Sequence, residues 1–285
     1  MRLLVTGAAG QVGTEVRLWA ERAGDEVLAF DHATLDVADR DAVLGALTTI
    51  RPDAVVNAAA WSDVDACEGD PARAYALNAL ALRWLAEGCG RSRAHLVHLS
   101  TDYVFSGDRA VPYTEWDEPA PLSVYGASKA AGEEEAAMAG PAATIVRTSW
   151  VLGQHGRNLL TRILGALDQR PTVAFVDDQT SCPTLAADLA PVLRRLASER
   201  RPGLVHATGG AAVSRFELVR AVAAAAGTDP QRVRPIKTAE LDPTPAARRP
   251  TYSVLDNAVL RASGVPLLPD FRVGLPAVVA AMRAG

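Results

Sequence analysis

Three glycines near the N-terminus constrain the fold of this chain more than any other feature. They are spaced G-x-x-G-x-x-G across residues 7–13 and follow Arg2–Thr6, a short apolar run that predicts a buried strand. Gln11–Arg22, which comes next, has the pattern of a helix. A glycine turn between a strand and a helix lets the backbone approach a pyrophosphate, which the open N–H groups of the helix then bind. The residues predicted to hold a nucleotide in this way are Gly7, Gly10, Gln11, Val12 and Gly13.

Alternating β-rich and helical stretches continue through the first half of the chain. Strands are predicted over 2–6, 26–30, 53–59, 95–100 and 143–149, and helices over 11–22, 39–50, 71–88 and 123–139. Repeated βα units imply a parallel sheet with right-handed crossovers. We therefore predict an α/β fold: a Rossmann-type doubly wound sheet that binds NAD(P) in residues 1–150, with segments returning from about 170–210. Residues 151–285 are predicted to form a smaller part that mainly binds substrate.

Composition and charge narrow the classes of protein to which the chain can belong. A formal net charge of −4 argues against a broad basic surface for nucleic acid. No apolar run reaches the roughly 18 residues of a membrane helix, and the first residues enter the glycine turn too early for a signal peptide. Three widely spaced cysteines argue against a disulfide framework or a cysteine-based metal site. We expect a cytoplasmic protein without nucleic-acid or membrane partners, and we assign no metal ligands.

The end of the second predicted strand bears on the choice of cofactor. Asp31 is placed to bond the adenosine ribose, which favours NAD, whereas His32 beside it could contact a 2′-phosphate, so NADH and NADPH both stay open. Asp36 and Val37 are expected at the edge of the adenine. Small side chains after the third strand leave room for the cofactor, and they belong to Ala58, Ala59 and Ala60.

A Y-x-x-x-K spacing predicts the catalytic site. Tyr125 and Lys129 share one face of the predicted helix, so that the lysine charge can lower a phenol pKa that is normally about 10. With five tyrosines and two lysines in 285 residues, only about 0.04 chance matches are expected. Thr101 ends the preceding strand at the same edge of the sheet, where its hydroxyl can hold a substrate carbonyl oxygen. We predict that these three residues are catalytic and that Tyr125 and Lys129 also contact the cofactor.

The motifs of this chain resemble the extended short-chain dehydrogenase/reductase family over nearly the whole sequence. Within that family the resemblance is strongest to reductases of dTDP-linked 4-keto-6-deoxysugars, of which dTDP-4-dehydro-L-rhamnose is one. The stretches that carry the resemblance are residues 7–13, 57–65, 100–105, 123–129, 147–151 and 178–184.

This resemblance implies a mechanism. Reduced nicotinamide would deliver hydride to the C4 ketone of the sugar, and Tyr125 would give the proton as general acid. Lys129 would bind the nicotinamide ribose and tune Tyr125, while Thr101 would hydrogen-bond the carbonyl oxygen. Charge develops on that oxygen in the transition state, so two fixed donors there would accelerate the reaction.

The resemblance also implies a substrate site. Positions that face the sugar or the nicotinamide in the family are matched here by Ser62, Val64 and Tyr103. Trp150, which follows the fifth strand, is expected to pack on the sugar. The diphosphate is assigned to Asn158, Arg248 and Arg249, since a guanidinium fork suits phosphate and the two arginines lie in the proline-rich segment 235–252.

Some members of the family bridge a dimer through a divalent metal held by glutamates. Glu15 matches one such position, but Leu185–Asp188 lacks a second glutamate at the matching place. The sequence therefore favours an ordinary first-turn helix acid at Glu15 and leaves a homodimer open.

Three alternative functions stay open at this point. A sugar-nucleotide 4,6-dehydratase is disfavoured, because such enzymes carry Thr-Asp-Glu where this chain has Thr101-Asp102-Tyr103. A reductase of another dTDP-4-keto-6-deoxysugar, such as one for an antibiotic, would share the chemistry and differ only in its sugar. A non-catalytic subunit that binds nicotinamide nucleotide, like the regulatory subunit of methionine adenosyltransferase, would bind cofactor without reducing any ketosugar.

Overall fold

A six-stranded sheet forms the centre of the molecule in the computed structural model, which describes residues 1–284. The strands of the chain are β1 Arg2–Thr6, β2 Glu26–Phe30, β3 Ala54–Asn57, β4 His95–Thr101, β5 Ala143–Thr148, β6 Val151–Leu152, β7 Val173–Val176, β8 Thr180–Ser181, β9 Thr184–Leu185, β10 Gly203–His206, β11 Val213–Ser214 and β12 Val233–Ile236. The central sheet has the order β10-β5-β4-β3-β1-β2, and each neighbouring pair in it is parallel. The predicted fold class is confirmed.

Helices connect these strands and cover both faces of the sheet. They are α1 Gln11–Arg22, α2 Arg40–Ile50, α3 Val64–Gly69, α4 Pro71–Tyr75, α5 Ala81–Ser92, α6 Val124–Ala137, α7 Leu159–Gln169, α8 Ala186–Ser198, α9 Arg215–Ala225, α10 Ala258–Ala262 and α11 Phe271–Ala284. On one face Val16 of α1 and Leu189 of α8 are buried in the same apolar cluster as Leu3 of the sheet. On the other face Leu47 of α2 and Leu85 of α5 are buried together. Within residues 1–284 no helix is both long and apolar enough to cross a bilayer.

The predicted helix over 71–88 differs from the observed one in length and in form. The observed helical stretch extends to Ser92, and a π-helical segment, Ala76–Leu80, separates α4 from α5. Asn78 lies inside this segment and its side chain bonds the backbone N–H and C=O of Trp61 and the hydroxyl of Ser128. Such π-helical segments are frequent at functional sites, and this one turns a polar side chain toward the loop that follows β3.

The strand order creates a switch point between β1 and β3. The chain leaves β1 toward β2 on one side and continues from β3 toward β4 on the other, which opens a crevice at the carboxyl ends of β1 and β3. Ligands of doubly wound sheets bind in such crevices. The third strand ends at Asn57 rather than at residue 59, so Ala58–Ala60 form part of this edge instead of the ladder.

The chain after residue 150 has an apolar cluster of its own. Leu160 of α7, Leu218 of α9 and Phe271 of α11 are buried in it, and Trp150 lies among the same residues. The strand β10 does not join this cluster but pairs with β5 at the edge of the central sheet. The second half of the chain thus contributes both to the sheet and to a separate packed layer.

One ion pair lies inside the fold beside the sheet. Arg147 of β5 donates two hydrogen bonds, of 2.8 and 2.6 Å, to the carboxylate of Glu133 on α6, and both side chains are less than a tenth exposed. The hydroxyl of Ser100 donates to the same carboxylate at 2.5 Å. Because a buried charge is costly without its partner, this pair fixes α6 against β4 and β5.

We predict that Arg147→Met lowers the free energy of unfolding by about 3–5 kcal/mol, because it leaves the Glu133 carboxylate buried and uncompensated. Urea denaturation at neutral pH measures the change. The matched control is Arg17→Met, which removes an exposed pair with Glu21 on α1 and should cost at most about 0.5 kcal/mol. Equal losses in the two variants would contradict the structural role given to the buried pair.

Candidate active site

The glycine turn and the end of β3 approach each other closely at the switch point. Gly7 has φ +65°, and a Cβ built there would lie 2.6 Å from the backbone nitrogen of Ala59. A Cβ on Gly13 would lie 2.2 Å from the carbonyl oxygen of Gly7. Neither position has room for a side chain, so glycine is required at both for the turn to close. The structure therefore brings together the two backbone segments that the sequence assigns to the cofactor.

The start of α1 is open to an anion. Gly10 is its N-cap and, among the described residues, no side chain caps the first N–H groups of the helix. Gln11 also has a buried side-chain oxygen without a hydrogen-bond partner. An open helix N-terminus beside a cradle of glycines fits the pyrophosphate of a dinucleotide.

The acidic residues after β2 are largely engaged in turns. One carboxylate oxygen of Asp31 accepts hydrogen bonds from the N–H groups of Ala33 and Thr34 and from the Thr34 hydroxyl, which lowers the pKa of Asp31. These contacts leave its other oxygen for a ligand. His32 is exposed and lies 3.9 Å from Asp36, while Val37 is buried. The geometry keeps Asp31 and His32 at the same rim of the crevice.

Tyr125 and Thr101 meet at the carboxyl end of β4. Tyr125 is the second residue of α6, whose N-cap is Ser123, and its hydroxyl lies close enough to the Thr101 hydroxyl to affect its ionisation. Burial raises the pKa of Tyr125, and the neighbouring Thr101 hydroxyl opposes the rise. The expected lowering of this pKa by Lys129 is therefore not seen in the chain by itself, where desolvation dominates. The phenol of Tyr125 therefore keeps its proton at neutral pH.

Asp102 is buried next to Thr101. Its carboxylate accepts hydrogen bonds from Thr101 at 3.2 Å, from Ser181 at 2.9 Å and from Ser253 at 2.5 Å. Burial raises the pKa of Asp102 to about 6, against the three hydroxyl donors that lower it. Asp102 thereby joins the three segments that carry Thr101, Ser181 and Ser253, and its charge acts on Tyr125. Sequence analysis did not single out Asp102, although it lies inside one of the recognised motifs.

Lys129 is buried one turn after Tyr125. Its Nζ donates to the carbonyl oxygen of Leu99 at 2.7 Å and lies 3.2 Å from Nε2 of His98. Burial lowers the pKa of Lys129 to about 8, while the charge of Glu133 raises it. The Y-x-x-x-K pair is thus assembled on one helix face as predicted, with the amine held by β4.

Trp150 carries backbone strain at the end of β5. It has φ +38°, which a bulky side chain rarely adopts, and within the described residues its buried indole N–H has no acceptor. The guanidinium of Arg215, at the start of α9, stacks 3.7 Å from the centre of the indole ring. Arg215 forms no ion pair with any described residue, and its charge acts on Tyr103 and Asp102. Sequence analysis missed Arg215, since nothing in its local pattern distinguishes it from other arginines.

The two arginines assigned to the diphosphate differ in their contacts. Arg249 is held by Asp65 through contacts of 3.0 and 2.5 Å, and Arg248 is exposed. Burial raises the pKa of Tyr103, and the charges of Arg215 and Arg249 oppose this rise. Both guanidinium groups therefore lie near the Tyr103 ring.

The assignment of Asn158 to the diphosphate is corrected by its contacts. Its side chain caps α7, where the oxygen accepts from the N–H groups of Leu160 and Thr161. Its amide donates to the carbonyl oxygens of Gly153 and His155. Within residues 1–284 these contacts use both the oxygen and the amide of the side chain, so Asn158 has a structural role at the start of α7.

The remaining predicted substrate residues surround the Tyr125 ring or follow β3. Tyr103 is buried, and its ring meets that of Tyr125 edge to face with 6.0 Å between centres. Val64 begins α3, and Ser62 is exposed in the segment that Asn78 holds through Trp61.

The expectation for Glu15 is wrong. Helix α1 begins at Gln11, so Glu15 lies in the second turn, and its carboxylate faces His155 at 3.4 Å. Among residues 1–284 there is no group of three or more His, Cys, Asp and Glu side chains arranged to hold a metal.

The whole of this architecture is shared with known proteins. Residues 1–284 match the family described as RmlD substrate binding domain. Over 287 residues the chain is 42% identical to dTDP-4-dehydrorhamnose reductase of Mycobacterium tuberculosis, covering 98% of this chain and 93% of that protein. It is 43% identical over 281 residues to a probable dTDP-4,6-dihydroxy-2-methyloxan-3-one 4-ketoreductase of Streptomyces antibioticus, covering 96% and 93%. The crystal structure of dTDP-4-dehydrorhamnose reductase from Bacillus anthracis in complex with NADP superposes with a TM-score of 0.93, at 33% identity and 98% coverage of both chains.

The raised pKa of Asp102 predicts that the difference in stability between the wild type and Asp102→Asn depends on pH. Between pH 3.8 and about 6 the folded chain keeps a proton that the unfolded chain releases, so this group makes folding less favourable as pH rises. Between about pH 4.5 and pH 7 the wild type should therefore lose about 2 kcal/mol of unfolding free energy relative to Asp102→Asn. Urea denaturation of both proteins measures this change.

The matched control is Asp117→Asn. Hydrogen bonds from the Thr114 backbone lower the pKa of Asp117, so its carboxylate stabilises the fold above the unfolded pKa. Because this titration lies below pH 4.5, the stability difference between Asp117→Asn and the wild type should stay nearly constant over the same pH change. A pH-independent difference for Asp102→Asn would show that its carboxylate does not titrate above its ordinary value.

Proposed function

The chain belongs to the RmlD substrate binding domain family, and we propose that it is an NADPH-dependent reductase that converts dTDP-4-dehydro-L-rhamnose to dTDP-L-rhamnose. The observation that carries this proposal is the pairing of Tyr125 with Thr101 at the same sheet edge as the glycine cradle. That arrangement offers two hydroxyl groups to one carbonyl oxygen beside a dinucleotide crevice. The sequence identity and the shared fold with dTDP-4-dehydrorhamnose reductases support it.

The first half of the chain would hold the cofactor. The diphosphate would lie on the N–H groups at the start of α1, over Gly7, Gly10 and Gly13, with Ala58–Ala60 along the opposite side of the crevice. Asp31 and His32 would face the adenosine ribose. The Bacillus anthracis enzyme was solved with NADP, which supports NADPH here. When bound, the reduced nicotinamide supplies the hydride.

Tyr125 would act as the general acid. A phenol is protonated at neutral pH, and burial raises the pKa of Tyr125 further, so this residue would hold its proton until negative charge develops on the C4 oxygen. Thr101 would hold that oxygen through its hydroxyl, whose single proton would turn from the Asp102 carboxylate to the substrate. Lys129 would bond the nicotinamide ribose and bring its charge next to Tyr125.

The sugar nucleotide would lie between the sheet edge and the second half of the chain. Tyr103 and Trp150 offer ring faces to the sugar, and the strained backbone at Trp150 holds the indole at the end of β5. Arg215 is stacked on that indole and has no anionic partner among residues 1–284, so we assign it to the diphosphate together with Arg248 and Arg249. On this view residues 1–150 mainly bind cofactor and residues 151–285 mainly bind substrate, with β10 returning to the sheet.

The second candidate is a reductase of another dTDP-4-keto-6-deoxysugar. The 43% identity to a probable 4-ketoreductase of Streptomyces antibioticus favours it, because the same acid and oxygen-holding residues serve either sugar. Dehydration is disfavoured since Tyr103 occupies the place of the carboxylate base and Asp102 is engaged by three hydroxyl groups. The homodimer and the cytoplasmic location expected from the sequence stay predictions.

Turnover is tested by following nicotinamide absorbance on addition of dTDP-4-dehydro-L-rhamnose, with NADPH and NADH in parallel and other dTDP-4-ketosugars as comparison substrates. Fast oxidation with dTDP-L-rhamnose as product supports the proposal. Faster reduction of a different ketosugar would assign the second candidate, and cofactor binding without any oxidation would assign the non-catalytic role.

We predict that Tyr125→Phe lowers kcat at least about 100-fold, since it removes the proton donor, while the affinity for NADPH stays near that of the wild type. Tyr75→Phe is the matched control: this tyrosine is 42% exposed on α4, so its variant should turn over normally. Stopped-flow kinetics and fluorescence titration with NADPH measure the two quantities. Wild-type turnover by Tyr125→Phe would rule out this residue as the donor.

A further inference from the structure

His98 contacts the catalytic lysine from a position inside the sheet. It lies in the middle of β4, is fully buried, and places Nε2 3.2 Å from Nζ of Lys129. Its other ring nitrogen, Nδ1, lies 3.0 Å from the side-chain amide of Asn57 on β3. Burial lowers the pKa of His98 well below its ordinary value, so the ring is neutral and carries one proton. Which ring nitrogen carries that proton decides whether Lys129 faces an N–H donor or a lone pair of His98.

Asn57 determines which ring nitrogen carries the proton. Its oxygen accepts hydrogen bonds from the Thr6 hydroxyl at 2.5 Å and from the backbone N–H of Ala59 at 3.3 Å. A backbone N–H only donates, so the amide oxygen must face Ala59 and the amide N–H₂ must face His98. Nδ1 of His98 is therefore an acceptor, and the single ring proton lies on Nε2.

The Nε2–H group then points at the amine of Lys129. An ammonium group has three donors and no acceptor, whereas an uncharged amine has a lone pair that can accept a hydrogen bond. The contact between His98 and Lys129 is thus favourable only when the amine is uncharged. If the amine is charged, the ring proton must face another donor: the Lys129 ammonium when it lies on Nε2, or the Asn57 amide N–H₂ when it lies on Nδ1.

We propose that His98, oriented by Asn57, is a positioning residue that presents its Nε2–H to Lys129 and favours the uncharged amine in the free enzyme. The other ionisable groups around the amine are few. Glu133, one turn later on α6, favours the charged form but is itself paired with Arg147 of β5, and Tyr125 lies one turn earlier. Burial lowers the pKa of Lys129 in the same direction as His98 does.

This inference rests on the proposed function only for its kinetic consequence. A lysine that binds the nicotinamide ribose and supports Tyr125 does so in its charged form. In the reductase proposed here, kcat/KM would therefore fall as pH rises through the titration of Lys129. Without His98 that decline would begin at higher pH.

The ionisation of Lys129 can be measured directly because the chain has only two lysines, Lys129 and Lys237. In protein labelled with ¹³Cε-lysine, two resonances are followed by NMR from about pH 6 to 11, without substrate or cofactor. Lys237 is the internal reference: it is exposed, and its hydrogen bond with Asp177 raises its pKa. Lys237→Arg assigns the two signals. We expect the Lys129 resonance to titrate near pH 8 and well below that of Lys237.

Two variants test the part played by His98. His98→Leu removes the donor, and Asn57→Val frees the ring to move its proton to Nδ1 and offer the Nε2 lone pair to a charged amine. Each should raise the Lys129 midpoint by about one pH unit, the size of one hydrogen bond. The matched control is His95→Leu, since His95 is buried on the same strand but bonds Thr144 instead. That variant should leave the midpoint unchanged.

The outcomes separate this inference from the proposed function. A Lys129 midpoint at or above that of Lys237 in the wild type overturns it without any variant. An unchanged midpoint in a folded His98→Leu or Asn57→Val protein also overturns it, and if one variant fails to fold the other decides. Because the titration uses no substrate, a chain that reduces no ketosugar can still support the role of His98. Conversely, an active reductase with an unshifted midpoint would retain the function and lose this inference.

Discussion

The close approach of two backbone segments at the β1–β3 switch point is the constraint on which the rest of the site depends. Gly7 and Gly13 have no room for a Cβ because the ends of β1 and β3 and the start of α1 share one small volume. That closeness leaves the N-terminus of α1 open at the carboxyl edge of a parallel sheet. The next strands, β4 and β5, end at the same edge and carry Thr101 and Trp150 toward it. A cofactor crevice and a carbonyl-binding pocket therefore arise side by side from one sheet.

Polar side chains buried in and beside β4 connect this edge to the interior. Ser100 bonds the Glu133–Arg147 pair, Thr101 bonds Asp102, and His98 contacts Lys129. Buried polar groups are costly unless each has a partner, so every one of these contacts restricts where its partner can lie. The same interactions that hold α6 against the sheet thus also hold the predicted proton donor and the lysine. Stability and catalysis are linked here through shared side chains.

The fold and the core of the site could be predicted because their signals are local. The βα rhythm, the glycine spacing and the Y-x-x-x-K pair each depend on residues within one or two turns of one another, and the structure brings Thr101 and Tyr125 together as expected. The helix-capping role of Asn158 also has a local signal, because an asparagine before an apolar helix is a typical N-cap. The resemblance led us to assign this residue to the diphosphate instead. The free guanidinium of Arg215 could not be foreseen, because its contact with Trp150 arises only when α9 packs beside the end of β5. The tautomer of His98 depends on side chains from three strands, which no sequence pattern places together.

The central claim is that the pocket around Tyr125 reduces a ketone at C4 of a dTDP-linked sugar. It is tested most directly by incubating the chain with dTDP-4-dehydro-L-rhamnose and NADPH deuterated at both C4 positions of the nicotinamide, followed by mass spectrometry and NMR of the sugar nucleotide. The account predicts dTDP-L-rhamnose that is heavier by one deuterium, with the label at C4 of the sugar. A sugar nucleotide recovered unreduced, or reduced without deuterium at C4, would contradict it.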